Sequence, residues 1–229
     1  MELMDTNLER AIEDNTLSVA DKLQIALDVA AGLQFLHRCD PDQILIAHRN
    51  LKTSNILLRR TSSGTLEVKI GDFGCSRIQG EYESAHSLVG ALYSKAPEVL
   101  AASQTEEEEA SGYDPRAADV FSYAMVIYEL FSGLKPFSRA GRRYPNSEIV
   151  VNKILRGQRP RIDLLQTPDN AFLQKVYLIM ILCWDQLPNN RPSMEQVVHY
   201  LENGTIEELQ ALQAEQEVYR QQVQAEIPH

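Results

Sequence analysis

The segment Ala117 to Phe131 constrains the fold more than any other stretch. Val120, Phe121, Tyr123, Met125, Val126, Ile127, Tyr128, Leu130 and Phe131 leave almost no polar face at helical spacing. A helix that is apolar on nearly every side must be wrapped by other elements rather than laid on a surface. The chain therefore has to supply amphipathic helices around it. Ser18 reads as an N-cap with Asp21 three positions on, in the manner of a capping box. Val19, Leu23, Ala26, Ala30 and Leu33 then recur at three- and four-residue spacing, which predicts a long helix ending near His37. Further helices are expected from Ser147 to Arg156, from about Asn170 to Trp184, and from Ser193 to Glu202. The tail, residues 203–229, is rich in Gln and Glu and carries Ile206, Leu209, Leu212 and Val223. It reads as a separate surface helix. Strand signals are few. Ile44 to Ile46 and Ile56 to Leu58 are short β-like runs, and Leu66, Val68 and Ile70 alternate after the turn Thr61-Ser62-Ser63-Gly64. The expected fold class is mainly α with a small β patch between Ile44 and Ile70. From Gly71 to Pro97 periodicity fades into a long loop, the kind of segment that often carries function.

Composition narrows the function classes. Lys plus Arg is 22 against 32 for Asp plus Glu, a net charge of −10, which disfavours nucleic-acid binding through a global field. Glu106 to Glu109 supply four of those charges and read as a solvated loop. Cys39, Cys75 and Cys183 show no CxxC spacing. That argues against a structural zinc site or a disulfide framework and suits a reducing, cytoplasmic setting. The longest apolar run, Tyr177 to Trp184, is eight residues, short of the ~20 that span a bilayer. Met1 to Asp5 does not read as a signal peptide.

Three strings then fall in order: His48-Arg49-Asn50-Leu51-Lys52-Thr53-Ser54-Asn55, Asp72-Phe73-Gly74 and Ala96-Pro97-Glu98. Their order and spacing resemble the protein-kinase signature set. Ala118 to Tyr123 resembles the start of that family's buried central helix. Cys183-Trp184-Asp185, Pro188 and Arg191-Pro192-Ser193 resemble its late Cys-Trp…Arg-Pro segment. The likeness covers roughly residues 1 to 202, and Lys52 with the late segment looks most like the tyrosine-kinase-like branch of Ser/Thr kinases. It implies a protein-kinase-like fold, C-terminal lobe only, with the N-terminal lobe missing. Residues 1–202 would form the lobe and 203–229 the tail.

The resemblance also implies roles. Phosphoryl transfer asks a protein mainly to position groups and neutralise charge. Asp72 and Asn55 would hold Mg²⁺, Lys52 would offset charge on the transferred group, and Leu57 would lie beneath an adenine. Glu2-Leu3-Met4-Asp5 resembles the hinge, so Glu2 and Met4 would face the nucleotide. His48, Arg49, Phe73 and Asp119 would be structural, and Glu98 would pair with Arg191 across 93 positions of sequence.

Departures from the pattern weigh against catalysis. The family's base Asp is Asn50, and an amide cannot accept the substrate proton as a carboxylate does. Gly90-Ala91 stands where a Gly-Thr is usual, and Ser94 and Lys95 replace an aromatic and a Met. No Gly-x-Gly-x-x-Gly occurs in the sequence. ATP and Mg²⁺ are thus cofactors by resemblance, weakly bound or absent here. The expected function is a pseudokinase-type regulatory or interaction module with impaired phosphoryl transfer. The alternative is the C-terminal part of an ATP-dependent Ser/Thr kinase whose activity resides in a longer parent. Oligomerisation through the tail has thin support, because its apolar spacing runs short of the three or four heptads of a coiled coil. The expected partner is a protein covering the surface that faces the small lobe in kinases, or a second copy of the chain. Arg49 offers a mate for phosphate on Tyr82, Ser84 or Ser87, although unmodified surface hydroxyls are the simpler reading.

Overall fold

A computed structural model describes residues 3–38, 46–73, 92–103, 113–138, 146–162 and 170–225. Along the chain run β1 (Thr6–Asn7), α1 (Leu8–Glu13), α2 (Val19–Arg38), β2 (Ile56–Arg60), β3 (Leu66–Ile70), α3 (Pro97–Ala102), α4 (Pro115–Ser132), α5 (Ser147–Leu155), α6 (Ala171–Cys183), α7 (Met194–Glu202) and α8 (Ile206–Ala225). Short 3₁₀ turns cover Thr53–Asn55, Leu92–Ser94 and Pro188–Asn190.

The central helix is α4. Asp114 caps it by accepting from Arg116 N, Pro115 sits in its first turn, and Gly133 ends it at φ 69. Pro at the start costs nothing because that N–H has no helical partner, and glycine tolerates the left-handed exit. Fourteen of its eighteen residues are buried, so it is enclosed on all faces as its composition requires. α2 and α6 pack against it, and Tyr123 Oη donates to Ala26 O at 3.0 Å to tie α2 to α4. The expected cap at Ser18 forms, and two more appear. Ser18 Oγ accepts from Asp21 N, while Asp21 Oδ2 accepts from Ser18 N. Asn170 caps α6, and Ser193 with Gln196 forms a complete capping box on α7.

The β patch differs from the sequence expectation. It is a three-stranded antiparallel sheet in the order β1-β2-β3, with Leu58 opposite both Thr6 and Val68. Its third strand is the N-terminal Thr6–Asn7, which the sequence reading did not include. Ile46 lies outside any strand, and Ile44 and Leu45 lie outside the described residues. The reason is where the next backbone donors go. The N–H groups of His48 and Arg49 bond to the Asp119 carboxylate, so the chain here is committed to a side chain rather than to a ladder. β3 in turn packs on α2, where a Cβ at Gly32 would come 2.9 Å from Ile70 Cδ1.

The tail helix forms and is docked on α6. Leu209 is fully buried. Gln216 Nε2 donates to Leu182 O at 3.2 Å and to Asn190 O at 2.7 Å. Arg220 Nη2 donates to Asp185 Oδ2 at 2.8 Å, and the Asp185 side chain is fully buried. Gly204 makes the corner between α7 and α8. A Cβ there would lie 2.8 Å from Tyr200 Cα and 2.9 Å from Tyr200 O, contacts that force backbone to move. Gly204→Ala is expected to cost about 1–3 kcal/mol, as overpacking generally does. Urea unfolding should show a lower midpoint at unchanged slope; an unchanged midpoint would mean that the corner yields freely. No described helix is long and apolar enough to cross a membrane.

Candidate active site

The site is built outward from Asp119, near the start of α4 and 1% exposed. Its Oδ2 accepts from His48 N at 2.6 Å and its Oδ1 from Arg49 N at 2.8 Å, and His37 Nε2 lies 3.0 Å from Oδ2. One buried carboxylate thereby fixes the start of the loop from His48 to Asn55. Arg49 takes φ 62, a left-handed conformation unfavourable for a non-glycine residue, so the loop is held in it from outside. Lys95 Nζ adds a second hold by donating to Arg49 O at 2.8 Å. His48 carries the connection onward. Its ring nitrogen Nε2 lies 2.9 Å from Gly71 O, and its ring meets Phe73 edge-on at 5.2 Å. Gly71 N also donates to Asn55 O at 2.8 Å. These bonds bring Asp72 to the loop although 22 positions separate it from Asn50.

The structure brings Asn50, Asn55 and Asp72 together. Asn50 Nδ2 donates to Asp72 Oδ2 at 3.1 Å, and Asn55 Nδ2 donates to the same oxygen at 3.2 Å. Asn55 Nδ2 also donates to Asn50 O at 2.8 Å. Charge dictates these orientations, because an amide oxygen turned to a carboxylate would be repelled. Asn50 and Asn55 are buried, while Asp72 is exposed at φ 62. Among the described residues, Asp72 Oδ1 and Asn55 Oδ1 accept no hydrogen bond. One carboxylate and one amide oxygen suit a hard cation such as Mg²⁺, which is commonly held by few protein oxygens with substrate phosphates completing its shell.

The remaining expected residues fall around this cluster. Lys52 is half-buried and lines a small cleft with Thr53, Tyr93, Ser94 and Glu129. Leu57 is half-buried on β2, and a Cβ at Gly71 would come 3.1 Å from its Cδ1, so it sits beside the chain that delivers Asp72. Met4 is half-buried just before β1, the strand that pairs with β2. Glu2 lies outside the described residues, as do Gly90, Ala91, Tyr82, Ser84, Ser87 and Glu106 to Glu109. Arg191 Nη1 and Nη2 bind Glu98 Oε1 and Oε2 at 2.7 and 2.8 Å, the two-pronged pair expected from the sequence. The guanidinium also donates to Ala117 O and Asp185 O and lies over the Phe121 ring. On the same ring, Arg159 is lowered to about 10 by burial and by the Arg191 charge beside it.

One group escaped the sequence reading. Lys135, 4% exposed, pairs with Glu9 and, at 2.5 Å, with Glu129. Burial pushes the Glu129 carboxyl up, and Lys135 opposes that rise. The signal was present: Glu129 is an acid near the end of an apolar helix, and Lys135 interrupts an apolar turn, so each needs a partner of opposite charge.

Comparison with known proteins gives concordant matches. The family described as protein kinase domain matches residues 1–201. Among curated proteins, the chain is 32% identical over 191 residues to the RGS domain-containing serine/threonine-protein kinase A of Dictyostelium discoideum, covering 82% of this chain and 14% of that protein. It is 36% identical over 189 residues to a probable serine/threonine-protein kinase, drkD, of the same organism, covering 82% and 12%. It is 34% identical over 179 residues to the serine/threonine-protein kinase STY17 of Arabidopsis thaliana, covering 78% and 26%. The chain thus spans about a quarter or less of the length of these relatives.

Proposed function

The chain belongs to the protein kinase domain family, and on that premise we propose that it is a degenerate member, a pseudokinase-type regulatory or interaction module with impaired phosphoryl transfer. One observation carries the reading. The residue at the base position, Asn50, points an N–H donor at Asp72. A general base must accept a proton, and help of that kind is worth about 10²–10⁴ in rate. An amide already donating to its neighbour supplies none of it. On this reading the chain corresponds to the helix-rich C-terminal lobe, residues 1–202, with 203–229 as a tail, and it works in the cytoplasm. ATP with Mg²⁺ would bind weakly, through Asp72, Asn55, Lys52, Leu57, Met4 and Glu2. Its partner would be a protein, or a second copy, covering the face that meets the small lobe in complete kinases; exposed Leu3 and Phe73 are in keeping with that.

The second reading is that this is part of an ATP-dependent Ser/Thr kinase whose activity resides in a longer parent. The relatives' names and the small share of their length that the chain spans favour it. Radiolabelled phosphate incorporation into a Ser/Thr peptide separates the two, with Asp72→Ala as the blank. The 229-residue chain should be inert, and it should stay inert as Asn50→Asp with Ala91→Thr, because base help acts only on phosphates already held in line. In a longer parent carrying a small lobe, the same double change should raise transfer. Activity of the unmodified chain that Asp72→Ala abolishes would overturn the pseudokinase reading.

A further inference from the structure

Asn203-Gly204 is the only Asn-Gly pair in the sequence, and it forms the corner between α7 and α8. Packing dictates the glycine. A Cβ at position 204 would lie 2.8 Å from Tyr200 Cα and 2.9 Å from Tyr200 O. Glycine is also the residue whose backbone most freely swings its nitrogen toward the side chain before it, and here that side chain is an exposed asparagine. In the docked chain the approach is blocked. Gly204 N donates to Tyr200 O at 3.1 Å and Asn203 N donates to His199 O at 2.8 Å, with Asn203 at ψ −19. From α6, Lys175 Nζ donates to Leu201 O at 3.2 Å and to Gly204 O at 3.0 Å. Closing a five-membered ring from Gly204 N onto Asn203 Cγ requires rotation about that ψ. The rotation breaks the bond to Tyr200 O and pulls Gly204 O away from Lys175. We propose that Asn203 is a site of spontaneous covalent modification whose rate is set by the docking of α8. When the corner opens, Gly204 N attacks Asn203 Cγ. A C–N bond forms to give a cyclic imide, the bond to the side-chain nitrogen breaks, and that nitrogen leaves as ammonia with the proton from Gly204 N. Water then opens the imide at either carbonyl, giving aspartate or isoaspartate. Isoaspartate carries the main chain through its own methylene and so adds one backbone atom before Gly204. The corner has no room for it, so α8 does not reseat and the Arg220–Asp185 pair is lost. The modification is a one-way release of the tail, independent of whether the chain transfers phosphate.

The test ages the 229-residue chain at mildly alkaline pH, both folded and in urea. Peptide mapping by mass spectrometry and chromatography separates asparagine, aspartate and isoaspartate at position 203. The folded wild-type chain should react at least about tenfold more slowly than the same chain in urea, because the rate follows the population of the open form. Leu209→Ala truncates a fully buried anchor of α8 and should speed the folded reaction by at least about tenfold. Lys175→Met releases the corner and leaves the packed face of α8 in place, and it should speed the reaction as well. In urea the wild-type chain and both variants should react alike. Asn203→Gln is the blank. The purified isoaspartyl chain should melt lower than Asn203→Asp, which gains the same charge without the extra backbone atom. If Leu209→Ala does not fold, Lys175→Met carries the test. The proposal is overturned if the folded wild-type chain reacts as fast as it does in urea, or if the folded variants react at the wild-type rate. It is also overturned if the isoaspartyl chain melts like Asn203→Asp.

Discussion

Asp119→Ala is expected to unfold the loop from His48 to Asn55 and to cost the chain about 3–5 kcal/mol. The carboxylate is 1% exposed and takes the backbone N–H groups of His48 and Arg49 at 2.6 and 2.8 Å. Hydrogen bonds to a charged acceptor contribute about 1.5–3 kcal/mol each, and donors left buried without a partner cost their full desolvation. Arg49 at φ 62 relaxes once its N–H is released. For a chain of this size each kcal/mol moves the melting temperature by about 2–4 °C, so a fall of about 6–20 °C is expected in calorimetry. Asp119→Asn keeps one oxygen but turns an NH₂ toward the second donor, so it should recover little. A loss below about 1 kcal/mol would show that the loop holds itself and that Asp119 is incidental.

Breaking the Glu98–Arg191 pair should be comparably severe and asymmetric. The Arg191 side chain is fully buried and that of Glu98 is 14% exposed. Removing one partner of such a pair leaves a buried charge and costs about 3–5 kcal/mol, whereas replacing both with apolar groups of similar volume is often neutral. Glu98→Leu alone should therefore destabilise more than Glu98→Leu with Arg191→Met. The double change does not recover everything, because Arg191 also donates to Ala117 O and Asp185 O. Chemical denaturation of the two singles and the double completes the cycle. Additive single effects would mean that the pair is not a unit.

Both anchors were legible in the sequence only through the family resemblance. Glu98 and Arg191 were found through a resemblance that spans 93 positions, and nothing local in either segment points to the other. α4 needed no resemblance, since an all-round apolar helix has only one place to go. The cap at Ser18 could be read because a polar side chain bonds its own next turn, an entirely local event. β1 was missed because two residues carry no period, and their pairing depends on β2 about fifty positions away. α1 is a six-residue helix with only Leu8 and Ala11 buried, too short to show an apolar stripe. At the site, the loss of a base at Asn50 was plain from its identity. The direction of its amide was not, because that depends on Gly71 being drawn to His48 and Asn55.

The docking of α8 bears on where this protein ends as a thermodynamic object. The family match ends at residue 201, yet the buried Asp185 carboxylate is ion-paired with Arg220 of the tail. Asp185 also accepts from Leu187 N, and its carbonyl receives Arg191 Nε, so the tail reaches Glu98 through two intermediaries. A chain trimmed to the homologous boundary would keep every signature motif and lose the ion pair that Arg220 makes with Asp185. The unit that evolved as a family and the unit that unfolds cooperatively are therefore expected to differ in length, the second extending through Arg220, and a chain cut after residue 202 should melt lower than the 229-residue chain.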